Sequence, residues 1–99
     1  MSEYMKTVAE LEKTFTKKPY DQIPFRMKQA LIDYVADHQS TGNFLRSLIQ
    51  NDLAGAVLNA DEDNLPLLKT YLLWFFNEAP AGLFGKDNYE AHIFQESKV

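Results

Sequence analysis

The segment Gly82-Leu83-Phe84-Gly85-Lys86 carries, in outline, the glycines and lysine of a phosphate-binding loop. A Walker loop needs four residues between its glycines, Ser or Thr after the lysine and a strand before it, so that backbone amides and the lysine converge on phosphate. Here two residues separate the glycines and Asp87 follows the lysine, so the segment reads as a turn. Asp61-Glu62-Asp63-Asn64 has the carboxylate density of a calcium loop. Counted from Asp61, such a loop requires glycine at its sixth position and glutamate at its twelfth. This chain places Pro66 and Leu72 there. Capping of a following helix, with carboxylates at its positive end, is the expectation.

His38 and His92 are the only histidines and share no metal-type spacing. His38 falls on an apolar helix face near the helix end, where a hydrogen-bonded, half-buried imidazole is expected. Ser40 and Ser47 lack the G-x-S-x-G turn that exposes a nucleophile. The pairs Glu10/Glu12 and Asp33/Asp37 lie on polar faces and read as solvated surface. There is no cysteine, which removes thiolate nucleophiles, disulfides and thiolate metal sites. No catalytic, metal or cofactor residue is assigned.

Those residues must be positioned by helices. Ser2 can cap a first helix running to Phe15 or Lys18, with Tyr4, Val8, Leu11 and Phe15 as a narrow stripe. A peripheral helix over residues 1–18 follows, stopped by Pro19. Lys13, Lys17 and Lys18 then sit near its negative end. A second helix runs from Pro24 to about Asp37. Its inward face holds Met27, Leu31, Tyr34, Val35 and His38, and a second patch holds Phe25 and Ile32. That patch predicts either a second packing partner or an exposed contact.

A single helix from Asn43 to Ala60 would place Asp52 in the middle of an apolar face, at high desolvation cost. A break at Asn51-Asp52 removes the conflict. The reading is therefore helix three at 43–50 and helix four at 52–60, with Leu53, Ala56, Val57 and Ala60 inward. Helix five starts at Asp61–Asn64, keeps Pro66 in its first turn and reaches Asn77. It is apolar over more than half its circumference, with Leu73 and Trp74 at or beyond the edge of that arc. Asp87-x-x-Glu90 resembles a capping box for a last short helix, with Tyr89 and Ile93 on one face and a frayed tail after Gln95. The fold class is a compact all-α single-domain bundle of five to six short helices, with its core at 23–85.

Composition agrees. The chain has 99 residues, of which 45% are hydrophobic and 24% charged, as in a single globular domain. Net charge is −4, split as +2 over residues 1–30 and −6 over residues 31–99. A nucleic-acid binder usually carries a basic stripe that releases counterions from phosphates, and none is present. A DNA mimic would need denser acid. The longest apolar run, Tyr71 to Phe76, is six residues against the roughly 20 that span a bilayer. The start, Met1-Ser2-Glu3-Tyr4-Met5-Lys6, has no apolar run and does not read as a signal peptide. A soluble, cytoplasmic protein with no membrane partner is expected.

Aromatics make up 13% of the chain, more than a core of this size hides. Tyr and Trp dominate interface hot spots. Phe25, Ile32, Leu73, Trp74 and Phe84 are the expected partner contacts, with Arg46, Asn77 and Glu78 setting register. The residues Gly42-Asn43-Phe44-Leu45, Asn51-Asp52-Leu53, Ala56, Ala60-Asp61, Asn64, Asn77-Glu78-Ala79-Pro80 and Gly85 resemble the pattern of small bacteriophage and prophage-encoded helical proteins of unassigned function. The likeness spans Ile23 to Gly85. Its members often carry Trp before the last glycine, where this chain has Phe84. The resemblance implies a mobile-element origin and a bacterial host cytoplasm, without supplying a mechanism.

The expected function is a small non-enzymatic protein-binding module, in the manner of a phage-encoded modulator or inhibitor of a host protein complex. A homodimer is one form it can take. A DNA-binding regulator using helices two and three is the alternative. There Asn43, Arg46, Ser47 and Gln50 would face the bases. A structural role in a virion is third.

Overall fold

In the computed structural model, residues 7–96 are described. The order is α1 (Val8–Thr14), a 3-10 turn (Tyr20–Gln22), α2 (Phe25–Asp37), α3 (Asn43–Ile49), α4 (Leu53–Asn59), a second 3-10 turn (Leu65–Leu67), α5 (Leu68–Asn77) and α6 (Lys86–Glu96). No strand occurs among the described residues, so the all-α bundle expected from the sequence is the fold.

Helix α1 starts at a full capping box. The Thr7 hydroxyl accepts from the Glu10 amide at 3.1 Å, and the Thr7 amide donates to the Glu10 carboxylate at 2.9 Å. The cap expected at Ser2 and the stripe position Tyr4 lie outside the described residues. The helix ends at Thr14, short of Lys17 and Lys18. Seven residues do not hold a helix alone in water, so tertiary contacts must hold this one. Leu11 and Phe15 are buried, and the Phe15 ring stacks on Trp74 with centroids 5.2 Å apart. The Trp74 Nε1–H donates to Thr14 Oγ1 at 2.8 Å, while that hydroxyl donates to the Leu11 carbonyl.

Helix α2 follows Pro24 as expected and ends where His38 turns left-handed, at φ 59°. The two expectations for its second patch divide between its two residues. Ile32 is 5% exposed under α1, whereas Phe25, two turns earlier, is 77% exposed.

The predicted break between α3 and α4 is present. Asn51 takes a left-handed conformation at φ 65°, and Asp52 caps α4 by accepting from the Gly55 amide at 3.0 Å. The inward face assigned to α4 needs correction. Ala56 is buried and Ala60 half-buried, but Leu53 is 73% exposed and Val57 also faces solvent. α4 contains five aliphatic residues, one glycine and Asn59, so it has no polar face to orient it. Ala56 is the residue of α4 that packs against the core, and Leu53, Val57 and Leu58 are left outside.

Helix α5 starts later than the sequence suggests. Asp61-Glu62-Asp63-Asn64 forms a turn rather than the start of a helix, and Pro66 sits in the 3-10 turn before α5. The Asp61 carboxylate accepts the Asn64 amide at 2.9 Å. Asn64 is itself buried, and its Oδ1 accepts from the Tyr71 hydroxyl at 2.5 Å. At the other end of the domain, the Tyr34 hydroxyl donates to the Leu83 carbonyl at 2.7 Å and its ring stacks on Tyr89. The Gly85 amide donates to the Ile49 carbonyl at 2.6 Å, tying the segment between α5 and α6 to the end of α3. α6 begins one residue before Asp87, which lies in its first turn. The frayed tail expected after Gln95 falls largely outside the described residues.

Candidate functional site

The expected partner-binding residues do not form one patch. Trp74 has 0% exposure and Ile32 is buried, so neither is a surface contact. The edge of the apolar arc on α5 is covered by α1, which converts Trp74 from candidate hot spot to core. Leu73 is half-buried against the core. Glu78 is half-buried and receives Lys17 at 3.1 and 3.2 Å, an ion pair that ties the segment after α1 to the end of α5. Asn77 and Arg46 are exposed. Phe25 borders a groove of about 260 Å³ between α1 and α2, beside Phe15 and Ile32. Phe84 is half-buried and its ring lies 5.1 Å from that of Phe76, over a separate hollow lined by Pro80 and Leu83.

Sequence reasoning missed a concentration of exposed aliphatic side chains on and just after α4. Leu53, Val57 and Leu58 on α4 are exposed, and so is Leu65 just beyond the acidic turn. Four large aliphatic side chains thus face solvent within thirteen residues. Leu53 and Val57 are one turn apart and share a helix face. Leu53 and Ala56 form one wall of a small apolar cleft, and Leu48, Leu68 and Leu72 form the rest. The missing polar face of α4 was the available signal.

Carboxylates lie at both ends of this surface. Asp52 caps the start of α4, and Asp61, Glu62 and Asp63 follow its end. The Asn64 amide, together with the Arg26 guanidinium at 2.6 Å, holds the Asp61 carboxyl below the ordinary carboxylate range. Asp63 lies 3.9 Å from the same guanidinium.

The two histidines are occupied by structural bonds. His92 Nε2 donates to the Tyr34 carbonyl at 2.7 Å, and His38 Nδ1 donates to the His92 carbonyl at 2.9 Å. His38 is half-buried at the end of α2, as the sequence reading anticipated. Among the described residues, no buried side-chain polar atom lacks a hydrogen-bond partner and no group of three His, Cys, Asp or Glu residues is placed to hold a metal ion. No described helix is long and apolar enough to cross a membrane. In the turn between α2 and α3, Thr41 bonds to the Tyr89 hydroxyl. α3 buries Phe44, Leu45, Leu48 and Ile49 and carries Arg46 as its one cation.

No protein-family model matches the sequence, and neither the curated proteins nor the solved structures contain a significant match.

Proposed function

We propose that this chain is a small non-enzymatic protein-binding module that docks a partner through the aliphatic surface of α4 and its cleft against α5. The observation that carries this reading is the exposure of Leu53, Val57, Leu58 and Leu65 within one short stretch. Removing one such side chain from water contributes about 1.5–3 kcal/mol. Two or three therefore supply an apolar interface core without any catalytic group. Phe76 and Phe84 offer a second, aromatic contact. The resemblance to phage-encoded accessory proteins favours a bacterial or phage protein as the partner, by analogy of setting.

The test compares the native chain with Leu53→Ser/Leu58→Ser as baits in a bacterial lysate, followed by reconstitution of any retained protein from purified components. Both positions are exposed, so the variant keeps its fold, which circular dichroism checks. A partner bound by the native chain and lost from the variant supports the reading. Equal retention by both baits removes α4 from it. Light scattering across a concentration series identifies a second copy of the chain as the partner if mass rises for the native protein and not for the variant.

A further inference from the structure

Acid at both ends of α4 says something about the partner's chemistry. The stretch from Asn51 to Leu65 contains four carboxylates and no cation of its own. Asp52 stands at the start of α4 and Asp61-Glu62-Asp63 just past its end. Seven helical residues span roughly 10 Å, so these charges bracket the aliphatic face at about that distance. Arg26 engages Asp61 at 2.6 Å, and Lys69 follows Leu68 on α5. Arg26 also lies 3.9 Å from Asp63, and four carboxylates against these two cations leave the stretch net negative.

The cleft has a volume of about 60 Å³, against a share of roughly 30 Å³ per molecule in liquid water. It has room for the end of one aliphatic side chain. Its lining is Leu48, Leu53, Ala56, Leu68 and Leu72, with Asn51 and Asp52 at the edge. No strand exists among the described residues, so an extended peptide finds no sheet edge to join. An amphipathic helix laid in a groove is the recognition mode that fits.

We propose that this cleft receives one aliphatic side chain from a helical segment whose lysines or arginines, about two turns apart, meet the carboxylates at the two ends of α4. The proposal rests on the protein-binding reading above and adds the partner's charge and secondary structure. An acidic helix in the same place would bring like charges within the roughly 8 Å Debye length at physiological salt. A basic one gains attraction that steers its encounter and fixes its register.

The probe is a fluorescent helix of about 16 residues in which leucines are flanked by lysines seven positions apart, compared with a counterpart carrying glutamate for each lysine. Anisotropy titrations use the full chain, Leu53→Ser/Val57→Ser and Glu62→Gln/Asp63→Asn, with folding checked by circular dichroism. The lysine helix is expected to bind the native chain at least about tenfold more tightly than the glutamate helix. The serine pair should weaken it by a similar factor. The amide pair should weaken it about two- to fivefold and flatten its salt dependence. If both helices bind equally and both lose affinity in the serine pair, the charge assignment is overturned while the docking surface stands. Lysine-helix binding that ignores the serine pair, or no binding by either helix, overturns the proposal as a whole.

Discussion

The imidazole rings of His38 and His92 lie with centroids 4.0 Å apart and planes tilted by 34°, across the junction of α2 and α6. Each donates one N–H to a backbone carbonyl, because a carbonyl can only accept: His92 to Tyr34, and His38 to His92. The remaining face of His92 meets the ring of Tyr34 edge-on at 4.9 Å. Burial holds the His92 imidazole below the ordinary histidine pKa, and His38 beside it pushes the same way, against the carbonyls of Tyr34 and Val35. The unfolded chain, with an ordinary value of 6.5, therefore takes up the proton first as pH falls. The stability contributed by the neutral ring is complete above that value and is lost as pH drops from it toward the folded pKa. The urea midpoint should be lower at about pH 5.5 than at about pH 7.5, and His92→Gln should narrow that difference. Equal pH dependence in the variant would remove His92 as the cause.

Trp74→Ala should cost about 3–5 kcal/mol, the range for truncating a buried large aromatic. It removes the stack on Phe15 and the bond to Thr14 together. Any loss of partner binding should then follow loss of the fold, seen as a lower urea midpoint. A stability loss below about 0.5 kcal/mol, the scale of an ordinary surface substitution, would return the indole to the surface.

Gly55 sits in the first turn of α4, beneath the capping carboxylate. A Cβ there would collide with Asp52 Oδ2 and lie 2.6 Å from Ser47 Oγ. Alanine gains about 1 kcal/mol of helix propensity over glycine. Losing the cap costs about 0.5–2 kcal/mol, with steric displacement in addition. Gly55→Ala should therefore destabilise the native chain yet stabilise the Ser47→Ala/Asp52→Ala background, where both close contacts are gone. A mutant cycle measured by urea unfolding reads this sign change. The same sign in both backgrounds would break the link between Gly55 and the cap.

Tyr71→Phe removes the donor to Asn64 Oδ1 inside the core. Burial raises the Tyr71 phenol well above its ordinary pKa, so it remains a donor throughout the working pH range. A buried acceptor left unpaired costs about 1–3 kcal/mol. Thermal unfolding of the variant should show that loss. An unchanged transition would mean that the Asn64 amide finds another donor.

The break at Asn51-Asp52 was legible because an unpaired carboxylate on an apolar face is too costly, and Asp52 resolves it by capping. The ends of α2 were legible from Pro24 and the apolar stripe. Trp74 was not, since what covers it is Phe15 and Thr14, some 60 residues earlier in the chain, and a helical wheel of α5 contains no trace of them. Ile32 was misread for the same reason. The candidate site failed differently. Helical periodicity assigns an inward face only when a polar face opposes it, and α4 has none. Leu53 and Val57 were placed inside by pattern, whereas the packing buries Ala56 and leaves both of them exposed.

The indole of Trp74 is the chain's only one, and it lies where the first helix meets the fifth. Its emission is consequently a built-in optical gauge of that single joint. A rapid-mixing trace followed through this chromophore would time when the first helix reaches its seat, while far-ultraviolet ellipticity would clock the formation of helices throughout the domain.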